Sequence, residues 1–261
     1  ATSAEPAHGR RLFAHTIAVG EQYGTIGVLD RDKVLHEVTT FRRDVSTDGR
    51  RAVVAFGVSL ADDLARRDFT INAIAFQPVT GEWADPFGGE ADVRARVLRA
   101  VGDPAERFRE DYLRILRALR FAARFGLEID PATWTAAREL AGGLAGLSAE
   151  RVRDEWFKGL RTARDVADLV TRWRDVGAAA VWLPELGEAS ALRAAAGAPP
   201  RDPVLLTTVL TGDAVAVLRR LKASNAEIGR AAAIAAGPDR PAGAGPADIR
   251  RWLAATGTQA E

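Results

Sequence analysis

Over the first ninety positions, apolar residues come in short runs separated by polar ones. Beyond about residue 103 they recur with a helical period. Glu5 to Ala14 has helical spacing. Thr25–Leu29 and Val34–Thr40 are short apolar runs, the second rich in β-branched residues, and Asp30-Arg31-Asp32 between them gives a hairpin signature. Arg42–Arg51 is polar, carries an Asp48-Gly49 turn signal and reads as a mobile loop. Asp62–Ala65 fits a short helix, Thr70–Gln77 a strand, Pro78 to Gly81 a turn, and Asp85-Pro86-Phe87-Gly88-Gly89 a structured loop.

After Asp103-Pro104 the pattern stays helical. Glu106–Arg124 carries a stripe at Leu113, Leu116, Leu119 and Ala123, which Gly126 ends. Asp130-Pro131 starts the next helix with proline at its first position. Ser148 opens another helix to about Leu160, followed by Arg164–Val176, Pro203–Leu221 and Ala226–Ala236. Gly197–Pro200 and Gly237–Pro246 read as linkers, and Pro246 leads a terminal helix through Ile249 and Trp252. The expected fold is α+β: a small mixed β-sheet head over residues 1–103, then an all-α neck over 104–160 and an all-α body over 161–261.

Composition narrows the chemistry. With no Cys, disulfides and thiolate metal sites are excluded. His8, His15 and His36 lack a ligand spacing, so a structural zinc site is not expected. No run of about 18 apolar residues and no signal pattern is present, which makes a cytoplasmic protein the default. The net charge is only +1, so no global field favours nucleic acid. Locally, Arg94 to Arg124 holds nine arginines against four acids, a clustered surplus of forked phosphate donors.

Three motifs carry candidate chemistry. Arg66-Arg67-Asp68-Phe69-Thr70-Ile71-Asn72-Ala73 puts two guanidinium forks and a carboxylate at a helix-to-strand junction; a triphosphate needs the forks and a ribose hydroxyl can use the carboxylate. The bland alternative is a surface ion-pair network. In Glu110-Asp111-Tyr112-Leu113-Arg114-Ile115-Leu116-Arg117-Ala118-Leu119-Arg120-Phe121, a continuous helix sets Asp111 and Arg114 on one face. An acceptor-only carboxylate beside a donor-only guanidinium can read the Watson–Crick edge of a base. The competing reading, an intrahelical pair worth about 0.2–0.5 kcal/mol, has to explain Arg117 and Arg120 at the same spacing. Glu37-Val38-Thr39-Thr40-Phe41-Arg42 places Glu37, Thr39 and Phe41 on one strand face, and Glu37 could join a metal-binding carboxylate cluster.

Together with Asp48-Gly49-Arg50-Arg51, Asp85–Gly89 and Ser148–Leu160, these motifs resemble the class II CCA-adding enzymes and their bacterial poly(A) polymerase relatives, members of the DNA polymerase β-type nucleotidyltransferase superfamily. The resemblance covers the chain to about residue 190, with a similar stretch at Leu221–Glu227. It implies template-independent addition of C and A to the 3′ end of tRNA, with Mg²⁺ as cofactor. Implied partners are the tRNA 3′ acceptor end, CTP and ATP; no membrane is involved, and a homodimer is left open. By the same resemblance, Arg67 contacts the incoming nucleotide, Asp68 its ribose, and Asn72 belongs to the same nucleotide-binding motif. Asp111 and Arg114 select the base, Arg117 and Arg120 hold the triphosphate or shape the pocket, and Glu37 is the peripheral catalytic carboxylate and metal ligand. The Arg42–Arg51 loop matches the element that switches C to A addition, and Ser148–Leu160 the helix that buttresses base reading. Arg151, Arg153 and Lys158 are candidates for gripping acceptor-arm phosphates in a body that binds RNA by shape.

The family's two aspartates, one residue apart, precede the residues resembling Ala1-Thr2-Ser3-Ala4 and are not in this sequence, which also contains no Met. The expectation is therefore a head lacking its first strands, inactive as these 261 residues alone. Two alternatives remain: poly(A) addition by the sister branch, and a non-catalytic homologue that binds nucleotide or RNA.

Overall fold

The computed structural model describes residues 1–47, 52–187 and 201–237. The Asp48-Gly49-Arg50-Arg51 motif, the Gly197–Pro200 linker, the 237–246 linker beyond Gly237 and the terminal helix through Trp252 lie outside the described residues. The chain divides into two compact units, residues 1–114 with 128–136, and 115–127 with 137 onward.

In the first unit, helix α1 (Pro6–Leu12) precedes an antiparallel sheet in the order β1 (Thr16–Ala18), β2 (Thr25–Leu29), β3 (Leu35–Thr39). Strand β2 lies centrally and buries Ile26, Gly27 and Val28. The β2–β3 turn is set by Asp30, whose carboxylate accepts from the Asp32 and Val34 amides and bonds His36. The hydrogen bond with His36 holds the exposed Asp30 carboxyl below its ordinary pKa.

Two expectations change here. Arg42–Thr47 is a strand, β4, paired with β5 (Ala52–Phe56) in a hairpin that carries a bulge between Asp44 and Ser46. The charges of Arg42, Arg43 and Asp44 hide a strand whose apolar partner is Ala52–Phe56. Thr70 does not open a strand either: Thr70–Asn72 is a 3₁₀ turn, and β6 is only Ala75–Gln77, paired with β7 (Glu82–Ala84). Polar side chains divert the backbone there, because Thr70 bonds Asp92 and Asn72 bonds Asp68.

Helix α2 (Leu60–Ala65) starts in a capping box between Ser59 and Asp62. Helix α3 (Gly89–Ala95) leads into β8 (Val97–Leu98), which pairs in parallel with β9 (Glu128–Ile129). Leu64, Ala73 and Val101 form a small core, with Leu60, Ala75, Ala84 and Phe87 packed against it.

The long helix expected over Glu106–Arg124 is two helices, α4 (Pro104–Glu110) and α5 (Leu113–Phe125), broken at Asp111-Tyr112. Asp111 is extended at φ −157° and its carboxylate accepts from the Leu113 amide, so it caps α5 instead of standing on the helix face. Gly126, at φ 64°, terminates α5. Helix α6 follows (Pro131–Glu139), with proline leading it.

The second unit is helical: α7 (Ala149–Thr162), α8 (Val166–Asp175), α9 (Ala178–Trp182), α10 (Pro203–Leu210), α11 (Ala214–Arg220) and α12 (Asn225–Ala235). The single helix expected over Pro203–Leu221 breaks where Asp213 caps α11. Its core centres on Trp156 and Trp173, edge to face at 5.0 Å, and the Trp156 indole donates to Thr207. Among the described residues, no helix is long and apolar enough to cross a membrane.

Candidate nucleotide-binding site

The first unit concentrates its charged chemistry where α2 ends. Asp63 is fully buried and accepts from Arg66 Nε and Nη2 at 3.0 and 2.7 Å, from Arg67 Nη2 at 2.7 Å, and from the Arg42 amide at 3.2 Å. Burial pushes its carboxyl pKa up, but the hydrogen bonds from Arg67 and Arg66 outweigh it, and the net direction is down. Arg66 also donates to the Arg42 carbonyl, which makes it a strut between α2 and β4. Arg67 is a third exposed. Its buried Nε has no hydrogen-bond partner among the described residues.

Asp68 is buried next to this pair, accepting from the Phe69 amide at 3.0 Å and the Asn72 side chain at 2.9 Å. The DPFGG loop locks the same corner. Asp85 accepts from the Gly89 and Glu90 amides at the start of α3, and a Cβ at Gly89 would collide with the Thr70 carbonyl. Thr70 then donates to Asp92, which together with Asp130 receives Arg99. Hydrogen bonding to Asp92 leads in raising the Arg99 pKa.

Arg114 ties the second motif to the first. Its Nη1 donates to Glu110 at 2.5 Å and to the Arg107 carbonyl at 2.9 Å, and its Nη2 donates to the Arg66 carbonyl at 3.1 Å. The guanidinium therefore sits on the main chain one residue before Arg67. Among the described residues these bonds take three of five N–H donors and leave Nε–H and one Nη2–H.

Arg67 and Asn72 border a cleft of about 660 Å³ that is also lined by Phe41, Phe76 and Trp83. Asp68, Asp111 and Arg114 are not among its lining residues. Glu37 is exposed on β3, opposite Gly27, and Phe41 falls beyond the strand's end. Among the described residues, no group of three or more His, Cys, Asp or Glu converges as a metal site. The residues present do not by themselves fit a metal pair.

In the helical unit, Arg120 is buried and donates to Glu155 at 2.5 Å, with its Cζ 4.1 Å from the Phe121 ring centroid. It is spent on an internal ion pair, so a solvent-facing phosphate contact is not its geometry. Arg117 lies over the same ring at 5.3 Å. Arg153 bonds the Lys222 carbonyl and Asp154, Arg151 is half-buried, and Lys158 is exposed. The sequence reading missed Asp63 and Glu110. Asp63 lies three and four residues ahead of Arg66 and Arg67, and Glu110 lies four ahead of Arg114 and three after Arg107, a spacing that signals helix pairs.

A small mixed-sheet head with this arginine corner, followed in sequence by helices, is a nucleotidyltransferase-type α+β fold. Residues 1–99 match the poly A polymerase head domain, and residues 126–189 match the family described as "Probable RNA and SrmB-binding site of polymerase A". The chain is 46% identical over 160 residues to a CCA-adding enzyme of Streptococcus pneumoniae serotype 19F (strain G54), covering 60% of this chain and 40% of that one. It is 46% identical over 171 residues to a CCA-adding enzyme of Lactiplantibacillus plantarum, covering 65% and 42%. The crystal structure of the Bacillus stearothermophilus CCA-adding enzyme in complex with CTP superposes with a TM-score of 0.74 at 35% identity, covering 89% of this chain and 58% of that one. Residues 1–99 thus carry the poly A polymerase head domain, and the chain as a whole is similar to the class II CCA-adding enzymes. It spans about 40% of the length of the curated relatives it matches.

Proposed function

We propose that the chain is the nucleotide-selecting and RNA-contacting part of an enzyme that adds C and A to the 3′ end of tRNA without a template. CTP and ATP are the donors, and transfer depends on a divalent metal, magnesium. On this reading residues 1–103 are the head, 104–160 the base-reading neck and 161–261 the tRNA-binding body.

The observation that carries the reading is the corner at Arg67. A buried carboxylate, Asp63, fixes the guanidinium, and Arg67 Nε is a desolvated donor without an acceptor among the described residues. Such a donor is costly to leave unmet, by about 1–3 kcal/mol, and a phosphate oxygen meets it. Asp68, oriented by Asn72, is the ribose acceptor next to it. The remaining N–H groups of Arg114 and the acceptor oxygens of Asp111 supply a donor–acceptor edge for a base. Relatives named as CCA-adding enzymes, and one solved with CTP at 35% identity, support C and A as the bases. Arg117, Arg151, Arg153 and Lys158 are the candidate phosphate contacts, while Arg120 shapes the helix from inside. Glu37 is the peripheral carboxylate. The described residues add no acid cluster to it.

Equilibrium titration with CTP and with ATP tests this. The chain is expected to bind both, and Arg67→Ala is expected to weaken both by about 10- to 100-fold, in line with a charge-assisted hydrogen bond. Binding of ATP alone would assign the chain to the poly(A) branch, and an Arg67→Ala variant with unchanged affinity would remove the corner from the account.

A further inference from the structure

Behind the nucleotide corner lies a support that phosphate binding leaves unused. Phe69 and Ala100 form an isolated antiparallel bridge, in which the Thr70 amide donates to the Arg99 carbonyl at 2.9 Å and the Val101 amide to the Asp68 carbonyl at 3.2 Å. The main chain of Asp68 and Thr70 therefore rests on residues 99–101. In this bonding pattern the amide of Ala100 points away from Phe69. It is met by Thr133 in the first turn of α6, whose Oγ1 accepts from it at 3.1 Å. Thr133 is fully buried, and its hydroxyl donates to Asp130 at 3.3 Å. Arg99 makes a second link to the same turn, since its guanidinium donates both to Asp130 and to Asp92, the acceptor of the Thr70 hydroxyl.

Neither the helix nor the core calls for a hydroxyl at position 133. Asp130 already caps α6 by accepting from the Thr133 amide at 3.1 Å, and valine has nearly the same shape in a buried site. The demand comes from the Ala100 amide, because a buried N–H left unmet is costly. We infer that Thr133 is a positioning residue for ribose recognition, an inference that rests on the proposed reading of Asp68 as the ribose acceptor. By holding the Ala100 amide, Thr133 fixes the segment against which Asp68 is registered, and with it the direction of the Asp68 carboxylate. An O–H···O bond is confined to about 2.5–3.0 Å, so a main-chain shift of about half an ångström takes a carboxylate off a ribose hydroxyl. Arg67 is held separately, by Asp63 and by the bond of its own amide to the Leu64 carbonyl on α2. Loss of the Thr133 hydroxyl is therefore expected to reach the ribose and to spare the phosphate contact.

The test titrates CTP and 2′-deoxy-CTP against the 261-residue chain, its Thr133→Val variant and its Thr133→Ser variant. The parent chain is expected to prefer CTP. Thr133→Val is expected to lose about three- to tenfold of that preference, with 2′-deoxy-CTP affinity held within about twofold, and Thr133→Ser to keep it. A second readout uses the parent chain alone. Because coupling between two sites is reciprocal, CTP is expected to slow hydrogen exchange of the Ala100 and Thr70 amides more than 2′-deoxy-CTP does at equal saturation. A Thr133→Val chain that unfolds earlier in urea but keeps its preference for CTP overturns the inference and leaves Thr133 a purely structural residue. Equal protection of those amides by the two nucleotides overturns it as well, and decides the matter if Thr133→Val does not fold. The two readings fail separately. An unchanged preference in Asp68→Ala removes the ribose acceptor itself, and the inference with it, whereas a preference lost in Asp68→Ala but intact in Thr133→Val removes only the role of Thr133.

Discussion

Asp63→Ala is expected to destabilise the chain by about 3 kcal/mol and to weaken CTP binding along with it. Removing one partner of a buried pair costs about 3–5 kcal/mol, because the remaining charge is left without compensation. The lower end applies because Arg67, a third exposed, can turn toward water, while Arg66 at 14% exposure largely cannot. The Arg42 amide also loses its acceptor, which loosens β4 from α2. Urea unfolding of the parent chain, Asp63→Ala and Asp63→Asn checks the value. The Asn variant keeps the shape and an acceptor and is expected to fall between the other two. The pH dependence follows from the lowered carboxyl pKa of Asp63. A depressed folded-state pKa gives stability that is present above the unfolded value of about 3.9 and is lost as pH falls through the folded value. The acid side of the stability curve is therefore expected to flatten in Asp63→Asn. Equal acid sensitivity in the two chains would show that other carboxylates control that limb.

The second large effect is expected in the helical unit. Glu155→Ala strands the buried Arg120 guanidinium, whose side chain is 8% exposed, at a cost of about 3–5 kcal/mol. The Phe121 face, 4.1 Å from Arg120 Cζ, offsets part of this through a desolvated cation–π contact of about 2 kcal/mol. Replacing both members by apolar residues of similar volume, Arg120→Met with Glu155→Leu, is expected to recover most of the loss, because the penalty lies in the unpaired charge. Chemical denaturation of the single and double variants measures it. A double variant as unstable as Glu155→Ala would mean that the pair contributes through its specific geometry.

Some elements were legible because one signal dominated. The β2–β3 hairpin follows from an apolar run, the Asp30 turn and a β-branched run, and α6 and α7 follow from proline and serine at their starts. The β4–β5 hairpin was not legible, because the charges of Arg42, Arg43 and Asp44 outweigh its alternation. The break at Asp111 was hidden for the opposite reason. The apolar stripe through Leu113, Leu116 and Leu119 does not mark where its helix begins, so period alone cannot show that one carboxylate caps the second helix. The motifs could be quoted from sequence, but not how they join. That Gly89 rests on the Thr70 main chain, and that Arg114 reaches the Arg66 carbonyl, are contacts between segments far apart in sequence. In the sequence Asp63 is simply one residue of the short helix over Asp62–Ala65. Only the fold shows that it is buried and holds both arginines.

The central claim is that a carboxylate and a guanidinium, Asp111 and Arg114, choose the nucleotide in place of a template. Asp111→Asn tests it most directly, since asparagine still caps α5 but exchanges an acceptor oxygen for a donor. The measurement is the ratio of CTP to UTP affinity, and of ATP to GTP affinity, in the parent chain and the variant. The account predicts a clear preference for CTP and ATP in the parent chain and a loss of about 1–3 kcal/mol of that preference in Asp111→Asn. A variant that discriminates as well as the parent chain would contradict it.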